Sequence, residues 1–382
     1  MKILENTPTT KYDYIIVGAG LSGATFARLL TDDMMLQPKV LVIEKRDMIG
    51  GNCADMFSKE YGNNYHQLYG AHIFRTSSKN VWDFVNRFSN MIPFNHKVLV
   101  NYYENLYSFP INLLTLNQLY GFQQPAQVTD YLEKMRTNIK EPKNLKEQCT
   151  NMIGTELFNI FIKGYTEKQW GRSCEELPAD IIKRIPVRTT ANDSYFDNSK
   201  IYQGMPSDGY SALITKMLDD CDVILNEDFL SKREYYESIC RCKIIYTGPI
   251  DEFFNTKLDW RSLKFEDKYI KDIDYAQATP VVNYTSKDVP YTRVIEHKQF
   301  MPLKTNQHGT LLTYEYPETY EDGKEKYYPI NNDKNKEIVN ELKSKIPQKY
   351  IFLGRLAEYA YYDMDVAIEK AFDAFFNMLK KK

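Results

Sequence analysis

A glycine turn between an apolar strand and a helix constrains this chain more than any other feature of its sequence. Residues 14–17 form a short apolar run, Gly18, Gly20 and Gly23 follow as G-x-G-x-x-G, and residues 40–44 form a second apolar run. Continuous apolar runs are typical of parallel strands that are buried on both faces. We therefore expect residues 12–45 to fold as one βαβ unit of an α/β protein.

Each glycine of this turn has a physical task. Gly18 permits the tight turn, Gly20 lets the backbone approach a pyrophosphate, and Gly23 lets the helix pack closely on the strand. Glu44 ends the second strand, where an acidic residue accepts hydrogen bonds from an adenosine ribose. A glycine cluster that binds no ligand is the alternative, but the placement between a strand and a helix favours a dinucleotide site.

Three further segments favour FAD over NAD. Gly51 belongs to a glycine pair just past Glu44, where paired glycines extend the close approach of the backbone to the ligand. Gly248 ends a later strand, where FAD folds often pass the adenine half, and Arg355 ends the C-terminal strand, where an arginine could reach the pyrophosphate. Each segment is unremarkable alone, and their order along the chain predicts FAD.

Composition excludes several classes of protein. The net charge of −2 shows no global bias toward nucleic acid or an anionic membrane. The six cysteines form no C-x-x-C pair and have no histidine cluster near them, so we expect no metal site and a reducing compartment. The polar N-terminus has no signal-peptide pattern, and no apolar run is long enough to span a bilayer. We expect a soluble, cytoplasmic protein with no membrane insertion.

Changes in hydrophobic pattern divide the chain into three parts. Stretches of helical period dominate the region after the βαβ unit, and alternating stretches typical of antiparallel strands occur near residues 281–284, 291–296 and 310–316. We expect a Rossmann-like FAD-binding domain, an inserted helical domain and an antiparallel β-sheet domain. Their predicted bounds are residues 1–78 with about 200–255 and 330–382 for the first, about 79–180 with a lid near 177–190 for the second, and about 256–329 for the third.

Two segments have residue types that suit a sugar nucleotide. Residues 164–171 interleave aromatic and polar side chains at a helix end, where a Trp–Tyr pair can stack on a base and hydrogen-bond a sugar. Arg184 lies in a proline-interrupted segment and Arg293 in a separate one, so two guanidinium groups could clamp a diphosphate. The alternatives are a core tryptophan capped by glycine and ordinary solvated arginines.

Taken together, these motifs resemble those of the bacterial UDP-galactopyranose mutase family. The matching segments occur in the family's order over residues of about 12 to 370. They are 18–23, 49–52, 69–74, 164–171, 183–188, 246–251, 291–293, 327–329, 354–359 and 361–364.

The resemblance implies a redox-neutral isomerase that interconverts the pyranose and furanose forms of a UDP-linked galactose. In the family mechanism, N5 of the reduced flavin attacks the anomeric carbon and displaces UDP, and the sugar recloses from a flavin–sugar adduct before UDP returns. The runner-up function is an FAD oxidoreductase of the amine oxidase or monooxygenase type. A UDP-sugar-binding scaffold without catalysis is a third class.

The resemblance also assigns roles to residues of this chain. Arg184 and Arg293 match the arginines that neutralise the diphosphate, with Arg184 on the family's mobile lid, while His72 and Arg75 lie beside the flavin. The predicted substrate contacts are His96, Phe161, Tyr165, Thr166, Trp170, Arg184, Tyr195, Asn283, Arg293, Tyr328 and Tyr361. The motifs and the resemblance together predict flavin contacts at Gly18, Gly20, Ser22, Gly23, Glu44, Lys45, Gly51, Asn52, His72, Ile73, Asp228, Phe229, Gly248, Arg355, Tyr362, Asp363 and Met364.

One departure from the family concerns the sugar. Arg75 stands where the family usually has histidine, and arginine is longer, permanently charged and richer in donors. Members that accept UDP-N-acetylgalactosamine resemble this chain in having arginine there, so we expect this nucleotide as a substrate alone or besides UDP-galactose. Drift with unchanged specificity is the alternative. The resemblance further implies a flavin reductant such as NAD(P)H and a homodimer.

Two milder departures concern the nucleotide and sugar contacts. Ile162 stands where a second phenylalanine is common, so stacking around the uracil is expected to be thinner. His96 stands where some members have asparagine.

Overall fold

The computed structural model describes residues 1–35, 37–182, 185–196, 199–301, 304 and 308–380. Within these ranges the helices are α1 (Leu21–Asp32), α2 (Lys79–Asn86), α3 (Leu113–Tyr120), α4 (Pro125–Met135), α5 (Leu145–Phe158), α6 (Gly164–Trp170), α7 (Tyr210–Met217), α8 (Arg233–Ile239), α9 (Ile250–Phe253), α10 (Asp333–Ser344) and α11 (Met364–Lys380).

The strands of the same ranges are β1 (Lys2–Ile3), β2 (Tyr12–Val17), β3 (Val40–Ile43), β4 (Asp55–Ser58), β5 (Asn64–Gln67), β6 (Phe74–Thr76), β7 (Met91–Pro93), β8 (Val98–Tyr102), β9 (Asn105–Phe109), β10 (Tyr202–Pro206), β11 (Asp222–Ile224), β12 (Cys240–Tyr246), β13 (Trp260–Ile270), β14 (Val281–Tyr284), β15 (Arg293–Glu296), β16 (Thr310–Thr319), β17 (Tyr328–Pro329) and β18 (Tyr350–Phe352).

A six-stranded parallel sheet forms the core around the βαβ unit, in the order β1-β11-β3-β2-β12-β18. All four residues of β3 and five of the six in β2 are buried, because helices cover both faces of a parallel sheet. Helix α1 connects β2 to β3 and packs against the C-terminal helix α11. The expected α/β fold with its βαβ unit is confirmed.

A seven-stranded sheet lies beside this core, in the order β17-β13-β16-β15-β14-β8-β9. Its neighbours run antiparallel except β14 and β8, which are parallel. The alternating segments predicted near residues 281–316 are therefore strands of this sheet. Strands β14 and β15 place Asn283 directly opposite Arg293, and β16 places Glu315 opposite Arg293 on its other side.

Residues 79–180, where helical patterns dominate the sequence, also contain strands. Strands β8 and β9 lie inside this range and extend the seven-stranded sheet. Their hairpin turns through Tyr103 and Glu104, both in the left-handed region at φ 46° and 68°. Two-residue hairpin turns usually contain Asn-Gly or Asp-Gly. This turn contains neither, so the hairpin could not be recognised from its turn sequence. The three-domain boundaries remain a prediction.

Helices α3 to α6 follow the hairpin and stand over one end of the seven-stranded sheet, with α6 against β16. A single π-helical turn, Asn159–Lys163, precedes α6. The predicted lid begins here with the short 3-10 turn Ala179–Ile181, and residues 183 and 184 lie outside the described residues. None of the helices in the described ranges is both long and apolar enough to cross a bilayer.

Candidate functional site

One cavity of about 940 Å³ runs from the carboxyl ends of the parallel strands to the seven-stranded sheet. This volume lies at the upper end of the ~300–1,000 Å³ typical of cofactor and ligand sites. Every predicted site residue that the structure describes lines this cavity, with the exception of Gly23. Arg184 lies outside the described residues, so its predicted role stays a prediction.

The glycine turn forms the floor of one end of the cavity. Gly18 follows β2 with φ +104°, and a Cβ there would lie 2.1 Å from the Thr247 hydroxyl oxygen. A Cβ at Gly23 would lie 2.2 Å from the carbonyl oxygen of Gly18, so Gly23 acts by letting α1 approach β2 rather than by facing the cavity. Only glycine fits at either position without moving the backbone.

A second glycine segment closes on the first. Gly51 has φ +57°, and its Cβ would lie 2.8 Å from Cα of Gly20. The N-terminus of α1 opens between these two segments, and its N-cap residue makes no side-chain capping hydrogen bond. Backbone N–H groups and the positive end of the helix dipole therefore face a narrow cleft, which suits a pyrophosphate.

Glu44 stands beside this cleft with its side chain held in place. Its Oε2 accepts from the Ala19 N–H at 2.7 Å, and its Oε1 accepts from the Arg46 N–H at 2.9 Å. Each carboxylate oxygen can accept a second hydrogen bond, as the hydroxyls of a ribose would donate. We call residues 18–23, Glu44 and residues 50–52 the backbone wall. Its residues fit the predicted FAD.

His72 is fixed at the middle of the cavity by Gln67. The Gln67 amide accepts from the His72 N–H at 3.0 Å and donates to the His72 carbonyl at 3.0 Å. Burial lowers the pKa of His72 to about 4, with Arg355 and Arg293 adding to the shift, so the ring is neutral at pH 7. Its Nδ1 lies 2.7 Å from the Gly70 carbonyl, which requires the proton on Nδ1 and leaves Nε2 as an acceptor.

Arg293 and Glu315 form an ion pair in the opposite wall. Nε of Arg293 lies 3.0 Å from Oε1 of Glu315, with 23% of the arginine side chain exposed toward the cavity and 2% of the glutamate. The contact departs from hydrogen-bond geometry, because both atoms are without a hydrogen-bond partner among the described residues. Burial raises the pKa of Glu315, and the charge of Arg293 opposes that rise.

Aromatic and hydroxyl side chains continue this second wall. Tyr165 and Thr166 lie on α6, and Trp170 ends that helix with its ring 6.3 Å from Tyr328. Trp170 lines the cavity and is only partly buried, so the structure does not favour the alternative of a capped core tryptophan. We call Tyr165, Thr166, Trp170, Arg293 and Tyr328 the side-chain wall.

The C-terminal motif joins the two walls. Arg355 lies over the Tyr361 ring, with its guanidinium carbon 4.6 Å from the ring centroid, and donates to the Tyr327 carbonyl at 3.2 Å. The Tyr361 ring packs at a tilt of 51° against the Tyr328 ring, with the two centroids 5.6 Å apart. Arg355 therefore lines the cavity near these tyrosines, where its guanidinium can contact a bound dinucleotide or a bound substrate.

Arg75 lies on β6 and is held by a carboxylate. Its Nη2 donates to Oδ2 of Asp363 at 2.7 Å, and its guanidinium stands 4.0 Å from the Phe196 ring centroid. Lys200 contacts the same Asp363 at 3.2 Å and Asp365 at 2.7 Å. Arg75 lines the cavity, so the residue that departs from the family faces the site, and Asp363 engages one of its five donors.

His96 is the most enclosed polar side chain of the predicted set. It is 4% exposed, its Nδ1 has no hydrogen-bond partner among the described residues, and Tyr195, Phe196 and Phe300 surround it. Burial lowers the pKa of His96 to about 3, and Arg293 adds to the shift. A neutral ring with an unpaired nitrogen at the cavity can accept or donate a hydrogen bond to a bound ligand.

Sequence reasoning missed several residues that shape the site. Glu315 holds Arg293, Gln67 holds His72, and Lys168 holds the segment that α6 packs against. The partners of Glu315 and Lys168 are distant in the chain, whereas Gln67 and His72 are five residues apart. Arg46 lines the cavity and bridges Asn52 and Glu325. Glu315 had one signal in the sequence, because it is an acidic residue among the apolar residues of a predicted strand. A carboxylate buried there needs a charged or hydrogen-bonding partner.

Comparisons with known proteins agree with this geometry. A family model described as UDP-galactopyranose mutase matches residues 160–361, and one described as NAD(P)-binding Rossmann-like domain matches residues 16–88. A dTDP-fucopyranose mutase of Escherichia coli is 36% identical over 370 residues, covering 94% of this chain and 96% of the relative. A Klebsiella pneumoniae protein named "Probable UDP-galactopyranose mutase" is 38% identical over 367 residues, covering 94% and 92%.

Solved structures point to the same fold. A crystal structure of reduced UDP-galactopyranose mutase superposes with a TM-score of 0.75 at 14% identity, covering 98% of this chain and 95% of that one. At this low sequence identity, the match shows a shared fold and nothing more. The curated relatives, which match nearly full length, carry the argument about kinship.

Proposed function

The chain belongs to the UDP-galactopyranose mutase family, and from that premise we propose that it interconverts the pyranose and furanose forms of UDP-galactose. It is an isomerase of a family that depends on FAD. The observation that carries the proposal is the cavity in which a backbone wall suited to FAD faces a side-chain wall that includes Arg293. Neither wall alone would distinguish a mutase from an oxidase.

Reduced FAD, when bound here, supplies a nucleophile for the anomeric carbon, and the chain supplies binding and electrostatics. The backbone wall would hold the FAD pyrophosphate and ribose through the α1 N-terminus and Glu44. Tyr165, Thr166 and Trp170 would hold the uridine. This division accounts for a site whose reactive centre is the cofactor rather than a side chain.

Arg293 would stabilise the charge that develops when UDP leaves the sugar. Its guanidinium is fixed by Glu315 at 3.0 Å, so it does not need to reorganise when the phosphate becomes an anion. We propose that Arg184, on the predicted lid, completes this clamp and excludes water on closure. Neutral His72, with its Nε2 an acceptor, would receive a hydrogen bond without adding charge.

The test is chromatographic. Reduced enzyme is incubated separately with UDP-galactopyranose and UDP-galactofuranose, and the two are separated by anion-exchange chromatography. We expect the same equilibrium mixture from both directions, and no conversion by the oxidised enzyme. Stoichiometric peroxide with loss of substrate would instead support the amine oxidase or monooxygenase class. Purified protein without bound yellow cofactor would support a binding scaffold.

We propose further that the sugar site accepts UDP-N-acetylgalactosamine, alone or besides UDP-galactose. Arg75 supports this, because it lines the cavity and Asp363 engages only one of its five donors. Wild type should convert the N-acetylated nucleotide, and Arg75→His should lose only that activity. Arg87→His, a change at a half-exposed surface arginine paired with Asp32, is the matched control. Absence of UDP-N-acetylgalactosamine turnover by reduced wild type would refute the idea.

The nucleobase needs its own arm of the experiment, since one relative carries the name dTDP-fucopyranose mutase. We propose uridine as the base that this chain prefers, because Tyr165 and Trp170 match the uridine contacts of the family motif. Competition of UDP and dTDP for the reduced enzyme measures the preference directly. Tighter binding of dTDP would reverse the assignment.

We also propose that NAD(P)H reduces the flavin and that the protein acts as a cytoplasmic homodimer. The six cysteines support a reducing compartment, because all six are free thiols. Bleaching of the flavin absorbance by NADH or NADPH under anaerobic conditions tests the reductant. Sedimentation equilibrium tests the dimer, and a monomer at micromolar concentration would contradict it.

A further inference from the structure

Lys168 makes an unusual set of contacts close to the proposed substrate site. Its Nζ donates to four backbone carbonyls, those of Tyr284 at 2.9 Å, Ser286 at 2.9 Å, Val289 at 3.0 Å and Tyr291 at 2.9 Å. An ammonium group has three N–H donors, so the four oxygens share them. The side chain thus fills a cage of carbonyls and does not itself line the cavity.

These four carbonyls belong to one turn. The turn, residues 284–291, connects β14 to β15, and these two strands bear Asn283 and Arg293 opposite each other. Arg293 lies two residues past the last carbonyl that Lys168 holds. The ammonium group therefore fixes the backbone from which the proposed diphosphate contact projects.

The other end of the Lys168 side chain is anchored on α6, whose residues Tyr165, Thr166 and Trp170 form the proposed uridine contacts. Arg261 of β13 holds the end of the same helix, with Nε donating to the Gln169 carbonyl at 3.0 Å and Nη2 to the Lys168 carbonyl at 3.1 Å. Two cations thus attach α6 to the sheet. The Lys168 ammonium group reaches from the helix to the turn, and the Arg261 guanidinium reaches from β13 to the helix.

The start of α6 is attached as well. A Cβ at Gly164 would lie 2.0 Å from the Thr285 carbonyl oxygen, so the helix backbone rests directly on the same turn. An ion pair between Lys287 and Glu167 at 3.2 Å links the two elements on the surface, where the lysine side chain is 65% exposed. The lysine at position 168 therefore connects the turn and the helix at their buried contact, and Lys287 does so at the exposed edge.

Placing a charge at this position has a cost. Burial lowers the pKa of Lys168 to about 8, which reports the desolvation of the ammonium group. The four carbonyl dipoles that converge on Nζ favour the charged form and offset that cost. An apolar side chain would fill the same space without desolvation, but it would not hold the four carbonyls of the turn in place.

We propose that Lys168 is a positioning residue, which sets the distance between the uridine contacts on α6 and Arg293 on β15. The inference rests on the proposed function, in that it takes UDP as the ligand which spans the two elements. Loss of the ammonium group releases the 284–291 turn, and the two halves of the UDP site then no longer hold their relative positions.

Lys168→Ala, with added propylammonium ion, tests this inference. We expect the variant to retain its flavin and to bind UDP at least about tenfold more weakly by calorimetry, since displacements of ~1 Å cost up to about 100-fold in such sites. Propylammonium should enter the vacated carbonyl cage and restore most of the UDP affinity. Lys287→Ala is the matched control, and it should bind UDP as wild type does, because exposed ion pairs contribute little.

Hydrogen exchange of the 284–291 turn, measured without nucleotide, adds a readout independent of the reaction. We expect faster exchange there in Lys168→Met, a variant that fills the volume without the charge, and wild-type exchange in Lys287→Ala. Wild-type UDP affinity in a folded, flavin-bound Lys168→Met would overturn the inference. Parallel loss of flavin and UDP with no recovery by propylammonium would also overturn it, as it marks general destabilisation.

These outcomes separate the two proposals. Wild type that binds UDP yet fails to interconvert the sugar nucleotides would refute the proposed function, while the UDP affinities and the exchange data would still decide the role of Lys168. Wild type that interconverts them, with Lys168→Met equal to it in UDP affinity, would refute only the role of Lys168.

Discussion

The backbone wall and the side-chain wall of the cavity are built in opposite ways. The backbone wall comes from residues 18–52, close together in the chain, and presents N–H groups and one carboxylate that its own neighbours hold. The side-chain wall combines residues from positions 165 to 328 and relies on buried charges such as the pair of Arg293 and Glu315. We therefore expect an added side-chain atom to disrupt the backbone wall, and the loss of a charged group to disrupt the side-chain wall.

The largest effect should come from breaking the side-chain wall at its centre. Arg293→Ala is expected to lower kcat/KM by about 10³-fold, the upper range for removing a fixed donor at a developing anion. Arg293→Lys should recover part of this loss, since it keeps the charge but not the planar geometry. Steady-state kinetics on the reduced enzyme measure both.

Arg172→Ala, at an exposed arginine just past α6, is the control for this change and should retain wild-type kinetics. Equal flavin content in all variants would show that the fold is intact. A loss of less than tenfold in Arg293→Ala would mean that the charge at this position is not what stabilises the departing diphosphate.

The backbone wall should break when a single methyl group is added. Gly23→Ala places a Cβ 2.2 Å from the Gly18 carbonyl oxygen, so helix α1 or the turn must move. Overpacking of this kind costs about 1–3 kcal/mol, which corresponds to FAD binding weakened by ~5–150-fold if the cost falls on the cofactor-bound state. Titration of the apoprotein with FAD measures it.

Gly121→Asn is the matched control, because Gly121 caps α3 with φ 72° and a Cβ there would meet nothing within 4 Å. Asparagine tolerates this left-handed conformation, and FAD affinity should not change. If Gly23→Ala also bound FAD normally, then close packing of α1 on the glycine turn would not be what forms the cleft.

Acid should destabilise the fold through His96, which lines the same cavity as the side-chain wall. The pKa of His96 is lowered to about 3 in the folded protein, whereas an unfolded histidine has a pKa of ~6.5. Between these values the unfolded chain binds a proton that the folded chain does not, so stability falls as the pH drops from ~6.5 toward ~3. At pH 4.5 this linkage amounts to about 3 kcal/mol.

His96→Asn removes this linkage. The difference in unfolding free energy between pH 7.5 and pH 4.5, measured by urea denaturation of the holoenzyme, should therefore be about 3 kcal/mol smaller in the variant. His308→Asn is the control, since the His308 side chain is 89% exposed. An unchanged pH dependence in His96→Asn would show that this histidine is not held neutral in the folded protein.

The smallest effect is expected at the exposed rim of the backbone wall. Lys45 and Asp228 lie 3.6 Å apart with 68% and 43% of their side chains exposed. Exposed pairs of this kind contribute about 0–1 kcal/mol, so Lys45→Met should change FAD affinity by less than ~5-fold at physiological salt. A loss beyond tenfold would contradict this expectation and show that the predicted flavin contact of Lys45 is a strong, direct one.

Most of the backbone wall could be predicted because its physics is local. The strand, the glycine turn and the helix occupy one stretch, and steric exclusion at Gly18 and Gly23 depends on atoms that neighbouring residues bring along. The predicted antiparallel strands were found for the same reason, since alternation is a property of a few adjacent residues. The hairpin of β8 and β9 was not predicted, because its turn at Tyr103 and Glu104 lacks the usual glycine.

Local patterns in the sequence were enough to predict the parallel core, the dinucleotide cleft and, through its motifs, the family. The partners that hold the site residues emerged only in the folded chain, such as Glu315 beside Arg293 and the carbonyl cage around Lys168. Strand register and helix docking bring such partners together from segments that are not neighbours in the chain. Buried charges and polar groups must find partners wherever the fold supplies them, and no local pattern encodes that choice.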